Sequence, residues 1–265
     1  MPEIPKPIES TNVFLCGPVS SGKTWLMQQW IQGFTRSVII DTTAAFIADE
    51  NFEHLHGQPK ALCDRIEQNE FYYRIAYHPM VMEIDFEWVA HAMWHSAPPR
   101  WLIVDEVQQA IGDSLSPMGT LICQVARHNL LGFIGAAQRI ADVNKSFTSS
   151  CRMVILFQTS EVRDIIAVQD RWGKEIAEAV MQLQPCIYDD STKEVKQTPE
   201  CLVWVRGLGH KIFSLGDKKF DQTENLWHEI SAEAQKEQAP SSSQQDSGMQ
   251  ESKSQEDTSA PMKQE

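Results

Sequence analysis

The chain has 265 residues, 42% of them hydrophobic, which is enough to bury one sizeable core. Its formal net charge of −13 excludes a wholly basic nucleic-acid-binding surface, though not a few local Lys or Arg that hold DNA. No apolar stretch reaches the ~18 residues of a membrane span, and the six cysteines form no C-x-x-C pair, the pattern of reduced thiols in a cytoplasmic chain.

Residues 1–10, MPEIPKPIES, are Pro-rich and charged and lack the apolar centre of a signal peptide; they read as a flexible lead. Residues 11–230 read as one α/β domain. Apolar, β-rich runs at 12–16, 37–40, 71–77, 101–104, 131–137 and 152–157 alternate with helical patterns at 23–32, 85–95, 116–129 and 160–183. Such alternation predicts a mainly parallel sheet flanked by helices. Shorter strand-like pieces at 184–189, 201–206 and 211–214 predict an antiparallel extension at one edge, with a turn at Asp189–Thr192. Residues 231–265 are acidic, rich in Ser and Gln and free of aromatic residues, the composition of a disordered tail.

The run Asn12–Cys16 leads directly into GPVSSGKT, residues 17–24, which fits G-x-x-x-x-G-K-[ST] at every fixed position. In that pattern Gly17 and Gly22 let the backbone wrap a polyphosphate. Amides along Gly17, Pro18, Val19, Ser20, Ser21, Gly22, Lys23 and Thr24 form the cradle, except at Pro18, which has no N–H to give. The Lys23 ammonium reaches the β- and γ-phosphates, and the Thr24 hydroxyl is a Mg²⁺ ligand. Leu26, Met27, Trp30 and Ile31 follow at helical spacing, so the loop opens an amphipathic helix. The implied cofactors are ATP and Mg²⁺.

A second apolar run, Trp101–Val104, ends in Asp105 and Glu106. Open α/β sheets bind ligands at the C-terminal ends of their strands. Asp105 is therefore placed to hold Mg²⁺ opposite Thr24, and Glu106 to polarise the water that attacks the γ-phosphate. A carboxylate directly after the metal-binding Asp favours hydrolysis over transfer to a second substrate. The run 131–137 ends at Gln138, an amide suited to sensing the γ-phosphate. Arg127, just before that run, is either a partner for a helix C-terminus or an arginine finger that reaches a neighbouring subunit's nucleotide; Arg139, Arg152 and Arg163 are lesser candidates for the finger. His54, His56, Cys63 and Asp64 match no standard zinc spacing and read as a surface loop. Lys193, Lys196, Arg206, Lys211, Lys218 and Lys219 are interspersed with Glu194 and Asp217, as on a mixed solvated face, although they are also candidates for approaching DNA.

Taken together, GPVSSGKT, WLIVDE, ARHNLLGFIGAAQRIADVNKSF and RMVILFQTSEVRDIIAVQDRWG resemble the HerA–FtsK superfamily of P-loop ATPases, of the additional-strand, catalytic-glutamate type. CLVWVRGLGHKIFSL is similar to that family's closing hairpin, and the resemblance spans residues 11–215. It implies hexameric rings that move DNA. Among the small single-domain members it implies genome-packaging ATPases of membrane-containing viruses, acting on double-stranded DNA beside capsid or membrane-associated portal proteins. The location implied is the cytoplasm, that of the host if the protein is viral, or the virion. With no apolar span, the chain departs from the filamentous-phage assembly and zonula-occludens-toxin-like relatives. The unassigned segment 43–70 and the acidity are further departures, and both bear on DNA handling. Other DNA motors or helicases of the superfamily, a phage assembly ATPase, a small-molecule kinase and a non-hydrolysing nucleotide switch are the rival readings.

Overall fold

A computed structural model of the protein describes residues 11–47, 49–68, 71–112, 114–189 and 194–215. The expected lead at 1–10 and tail at 231–265 lie outside these residues, as do 216–230 and most of the expected turn after Asp189. The strands are β1 (Asn12–Cys16), β2 (Arg36–Ile40), β3 (Glu53–His56), β4 (Tyr73–His78), β5 (Arg100–Val104), β6 (Leu131–Ala137), β7 (Met153–Phe157), β8 (Ile187–Asp189), β9 (Glu194–Gln197), β10 (Glu200–Val205) and β11 (Gly209–Ser214). Nine of them form one sheet in the order β11-β10-β7-β1-β6-β5-β2-β4-β3. The seven from β7 to β3 are parallel; β10 runs antiparallel to β7, and β11 antiparallel to β10.

The central strands are unbroken apolar runs because both of their faces are covered. β1, β5, β6 and β7 are buried at every residue. Alternation divides their side chains between two cores. Val13 and Leu15 join Ile39, Ile103 and Ile134 beneath α1 (Lys23–Ile31), whose Leu26, Met27, Trp30 and Ile31 are all buried there. Phe14 and Cys16 turn to the other face and meet α2 (Pro59–Gln68), α3 (Met82–His95), α4 (Val107–Ala110), α5 (Pro117–Val125), α6 (Lys145–Ser150), α7 (Val162–Trp172) and α8 (Lys174–Gln182). Gly132 of β6 lies under Trp101, where a Cβ would be 2.4 Å from the indole; Trp101 stacks on Phe34 with ring centroids 4.5 Å apart.

Several elements depart from expectation for identifiable reasons. The strand inserted between β1 and β5 is β6, whereas β2 and β4, which intervene in sequence, lie beyond β5. The pattern at 160–183 is two helices, because Gly173 has φ 99°, a left-handed value that ends α7. The pattern at 116–129 is α5 followed by a 3₁₀ turn at Ala126–Asn129. The segment 43–70 contains β3 and α2. The piece at 184–189 narrows to β8, which pairs with β9 in a separate ribbon instead of extending the sheet. Both edges of β10 are already taken, by β7 and β11.

Parallel strands bring all their C-terminal ends to one end of the sheet and all their N-terminal ends to the other. The first, the loop end, carries Gly17, Asp41, Asp105 and Gln138 just past β1, β2, β5 and β6. The opposite end carries Arg36, Arg74, Arg100, Arg127 and Arg152 at or just before strand starts. Helices on a parallel sheet run against the strands, so their C-terminal carbonyls collect at this arginine end. Arg100 is 1% exposed and donates to Met93 O (2.6 Å), Trp94 O (2.6 Å) and Asn129 O (2.8 Å). Arg74 donates to Gln32 O and Phe34 O, Arg36 to Pro98 O, and Arg206 to Ser149 O and Cys151 O.

Candidate nucleotide site

β1 delivers the chain to the loop at Gly17, whose N–H donates to Ala137 O (3.2 Å), so the loop leaves its strand tied to the end of β6. Ser20 (φ 62°) and Gly22 (φ 102°) take left-handed conformations that curl the backbone. A Cβ on Gly22 would lie 2.5 Å from Leu215 Cδ1, and one on Gly17 would lie 2.5 Å from Phe157 Cβ. Gly17 is thus required by its close approach to Phe157 and Gly22 by its left-handed backbone, as well as by the ligand the motif predicts. Pro18 gives the loop only its carbonyl, which accepts from Ser21 N (3.3 Å) and from Lys23 Nζ (2.8 Å). Lys23 Nζ also donates to Gly17 O at 2.6 Å, so the ammonium closes the loop on itself. Burial lowers the Lys23 pKa, opposed by Cys16, Glu106 and Asp105. Thr24 lies in the first turn of α1, where the backbone amides have no intrahelical carbonyl and the helix dipole favours anions.

Asp105 is 3% exposed and its N–H donates to Ile40 O (3.1 Å), which fixes the end of β5 against β2. Asp41, at the end of β2, accepts from Ala45 N and Phe46 N, both at 3.0 Å. That turn brings the Thr43 hydroxyl to donate to Asp105 Oδ2 (2.5 Å) and the Thr42 hydroxyl to donate to Asp105 O (3.2 Å). Burial pushes the Asp105 pKa up; the Thr43 hydrogen bond opposes this, Glu106 and Asp41 add to it, and Lys23 counteracts it. Glu106 caps α4 with φ 62° and is 4% exposed. Gln138 Nε2 donates to its Oε1 (2.6 Å), and Gln108 Nε2 donates to its Oε2.

This donor set suits a divalent cation. Asp41, Asp105 and Glu106 are all buried, and burial foremost, with Glu106 and Asp41 adding to it, raises the Asp105 pKa. A carboxylate and the Thr24 hydroxyl are hard oxygen donors of the kind Mg²⁺ takes. Behind Asp41, the His78 Nδ1 approaches Asp41 Oδ2 at 3.7 Å, and the His78 ring stacks on His56 and His54 with centroids 4.5 and 5.5 Å apart. Burial lowers the His78 pKa; Asp41 opposes this, while His56 and His54 reinforce it. Among the described residues, no group of three or more His, Cys, Asp or Glu is disposed to hold a metal, those of the His54–Asp64 segment included.

The structure brings Gly17–Thr24, Asp105, Glu106 and Gln138 to one end of the sheet and leaves Arg127 at the other. Arg127 is exposed, its Nε donates to His128 Nε2 (3.2 Å), and the whole of β6 separates it from Gln138, about 20 Å at the usual rise per strand residue. Arg152 precedes β7 at that same end, whereas Arg139 and Arg163 lie at the loop end, 4.0 Å from Glu161 and 3.9 Å from Asp142. Sequence reasoning missed Asp41, Thr42, Thr43 and Gln108. Asp41 carried a usable signal, since it ends the apolar run 37–40 as Asp105 ends 101–104. Gln108 carried none.

Fold and loop together define the class, a P-loop NTPase with its mostly parallel sheet and one antiparallel end. The more particular likeness is to genome-packaging NTPases of a virus group. The genome packaging NTPase B204 from Sulfolobus turreted icosahedral virus 2, in complex with ATP-gammaS, has a TM-score of 0.63 and 20% identity, covering 77% of this chain and 96% of that one. The DNA-packaging ATPase B204 from Sulfolobus turreted icosahedral virus has a TM-score of 0.61 and 18% identity, covering 77% and 96%. At these identities the likeness shows a shared fold. Neither protein-family models nor curated proteins gave a match. No helix among the described residues is long and apolar enough to cross a membrane.

Proposed function

We propose that the protein is an ATP-hydrolysing motor that translocates double-stranded DNA, packaging a viral genome into a capsid from a hexameric ring. The observation that carries this reading is the contact of Glu106 with Gln138, made across neighbouring strands beside the phosphate loop. An acid aligned by an amide next to a phosphate cradle is suited to activating water and to sensing the phosphate it attacks. Supporting it are the fold shared with a packaging NTPase that binds ATP-gammaS and the buried carboxylate of Asp105, a hard oxygen donor suited to Mg²⁺.

In this reading Lys23 and the amides of Gly17–Thr24 hold the phosphates, Thr24 and Asp105 hold Mg²⁺, Glu106 takes the proton of the attacking water, and Gln138 registers the γ-phosphate. When bound, Mg²⁺ neutralises charge on the phosphate oxygens. Arg127, on the end remote from its own loop, serves a neighbouring subunit, as a head-to-tail ring requires. Arg152 shares that position, so each arginine needs its own variant. Portal or capsid proteins are the docking partners, in the host cytoplasm or the virion.

Phosphate release with and without duplex DNA, measured alongside the oligomer mass in ATP, tests the reading. The expected result is DNA-stimulated hydrolysis by a ring-sized oligomer, reduced at least about 100-fold by Glu106→Gln. In mixed rings, Arg127→Ala subunits should silence the sites next to them. A monomer whose hydrolysis ignores DNA, or one that passes phosphate to a small acceptor, would overturn it.

A further inference from the structure

Glu106 is held from two sides. Gln138 reaches its Oε1 from the end of β6, and Gln108 reaches its Oε2 from the first turn of α4, two residues along the chain. An ionised carboxylate only accepts hydrogen bonds, so the orientation of each amide is fixed by chemistry: both must turn Nε2 toward Glu106. For Gln108 this leaves Oε1 buried with no donor among the described residues. A buried acceptor without a donor costs free energy, so Gln108 sits here at the expense of its own hydrogen bonding. Nothing in the packing of α4 requires an amide at this position, since the buried residues of that helix are Val107 and Ala110.

A carboxylate that activates water works through a lone pair aimed at that water. With one oxygen on Gln138 and the other on Gln108, the plane of the Glu106 carboxylate is pinned, and the left-handed backbone of Glu106 leaves the side chain little freedom to turn away. We propose that Gln108 is a positioning residue that locks Glu106 idle, and that its release is the step by which a filled, engaged site switches hydrolysis on. The orphaned Oε1 gives the released state its reward: an amide that swings off Glu106 gains a donor for its Oε1 while its Nε2 finds another acceptor. The lock rests on the reading of Glu106 as the water-activating group.

The test is steady-state phosphate release by the full chain at saturating ATP without DNA, for the native protein and Gln108→Leu. Turnover without DNA should rise about tenfold, a fraction of what a positioned general base contributes. The KM for ATP should stay within about twofold, because the lock touches no ligand-binding group. The ratio of DNA-stimulated to DNA-free turnover should fall by the same factor, a change that a merely structural role would not produce. Should the Leu variant fail to fold by circular dichroism, Gln108→Asn, one methylene too short to span the gap, is read the same way. Turnover that is unchanged or lower in the folded variant overturns the lock. Glu106→Gln, alone and combined with Gln108→Leu, separates the two layers. If Glu106→Gln abolishes hydrolysis and Gln108→Leu leaves it unchanged, only the lock falls. If Glu106→Gln keeps native turnover, the role of Glu106 falls and the lock with it.

Discussion

Charged side chains are buried at both ends of the sheet, in contrasting company. At the arginine end, each of the three nitrogens of the buried Arg100 guanidinium donates to a backbone carbonyl. At the loop end, Asp41, Asp105 and Glu106 are buried, with Lys23 as the buried ammonium, and burial raises the Asp105 pKa. The first arrangement is complete in the isolated chain. The second buries three carboxylates with one ammonium, a surplus of negative charge that a divalent cation would relieve. Buried charge therefore holds the fold together at one end and is held in readiness, at a cost, at the other.

The contrast can be broken most sharply at Arg100. Arg100→Met removes three buried hydrogen bonds, although Ser96 Oγ still donates to Met93 O and Asn129 Nδ2 to Trp94 O, and should cost about 2–3 kcal/mol in urea unfolding. A midpoint equal to the native one would show that the arginine end is not the structural half. Next in size, Mg²⁺ with a non-hydrolysable ATP analogue at a hundred times its Kd should stabilise the chain by about 2.7 kcal/mol. Lys23→Ala should remove most of that gain in a thermal melt, and an undiminished gain would move the ligand elsewhere.

A smaller effect has the opposite sign. Asp105→Asn, with hydrolysis lost, should stabilise the ligand-free protein by about 1 kcal/mol near neutral pH. Because the folded pKa of Asp105 lies above its ordinary 3.8, the folded state prefers the protonated acid. The penalty sets in as pH rises through that folded value, so the advantage of the amide should vanish below pH 3.8. An Asn variant less stable than the native chain at pH 7 would contradict the surplus charge. The smallest effect belongs to His78, whose folded pKa lies below 6.5. The unfolded chain takes up its proton first, so stability should decline slightly as pH falls below 6.5, by less than about 0.5 kcal/mol. His78→Phe should flatten that slope in pH-dependent melts.

The phosphate loop and the Asp105–Glu106 pair were legible because each follows a strand whose residues are apolar throughout, and a fully buried parallel strand leaves that signature in any sequence. Gln138 was legible by position, at the end of such a run. Asp41 was legible in the same way, at the end of the run 37–40, but the turn it builds was not, because its donors are the backbone amides of Ala45 and Phe46, which leave no mark on residue type. β3 escaped notice because it is four residues long at the sheet edge and half-buried, too short for alternation to show. The break between α7 and α8 was visible as Gly173, yet a glycine within a helical pattern is common enough to pass. β8 looked like a sheet strand because its composition is strand-like; composition does not say which strand it pairs with, and its partner is β9 in a separate ribbon.

Leu215 closes the antiparallel hairpin of β10 and β11, and its Cδ1 occupies the space that a side chain at Gly22 would need. Its N–H is tied back to Pro199 O at 3.0 Å, and Pro199 packs near the same glycine. Leu215 also belongs to the core beneath α1, so the end of the hairpin, that core and the turn between the loop and α1 all meet at one side chain.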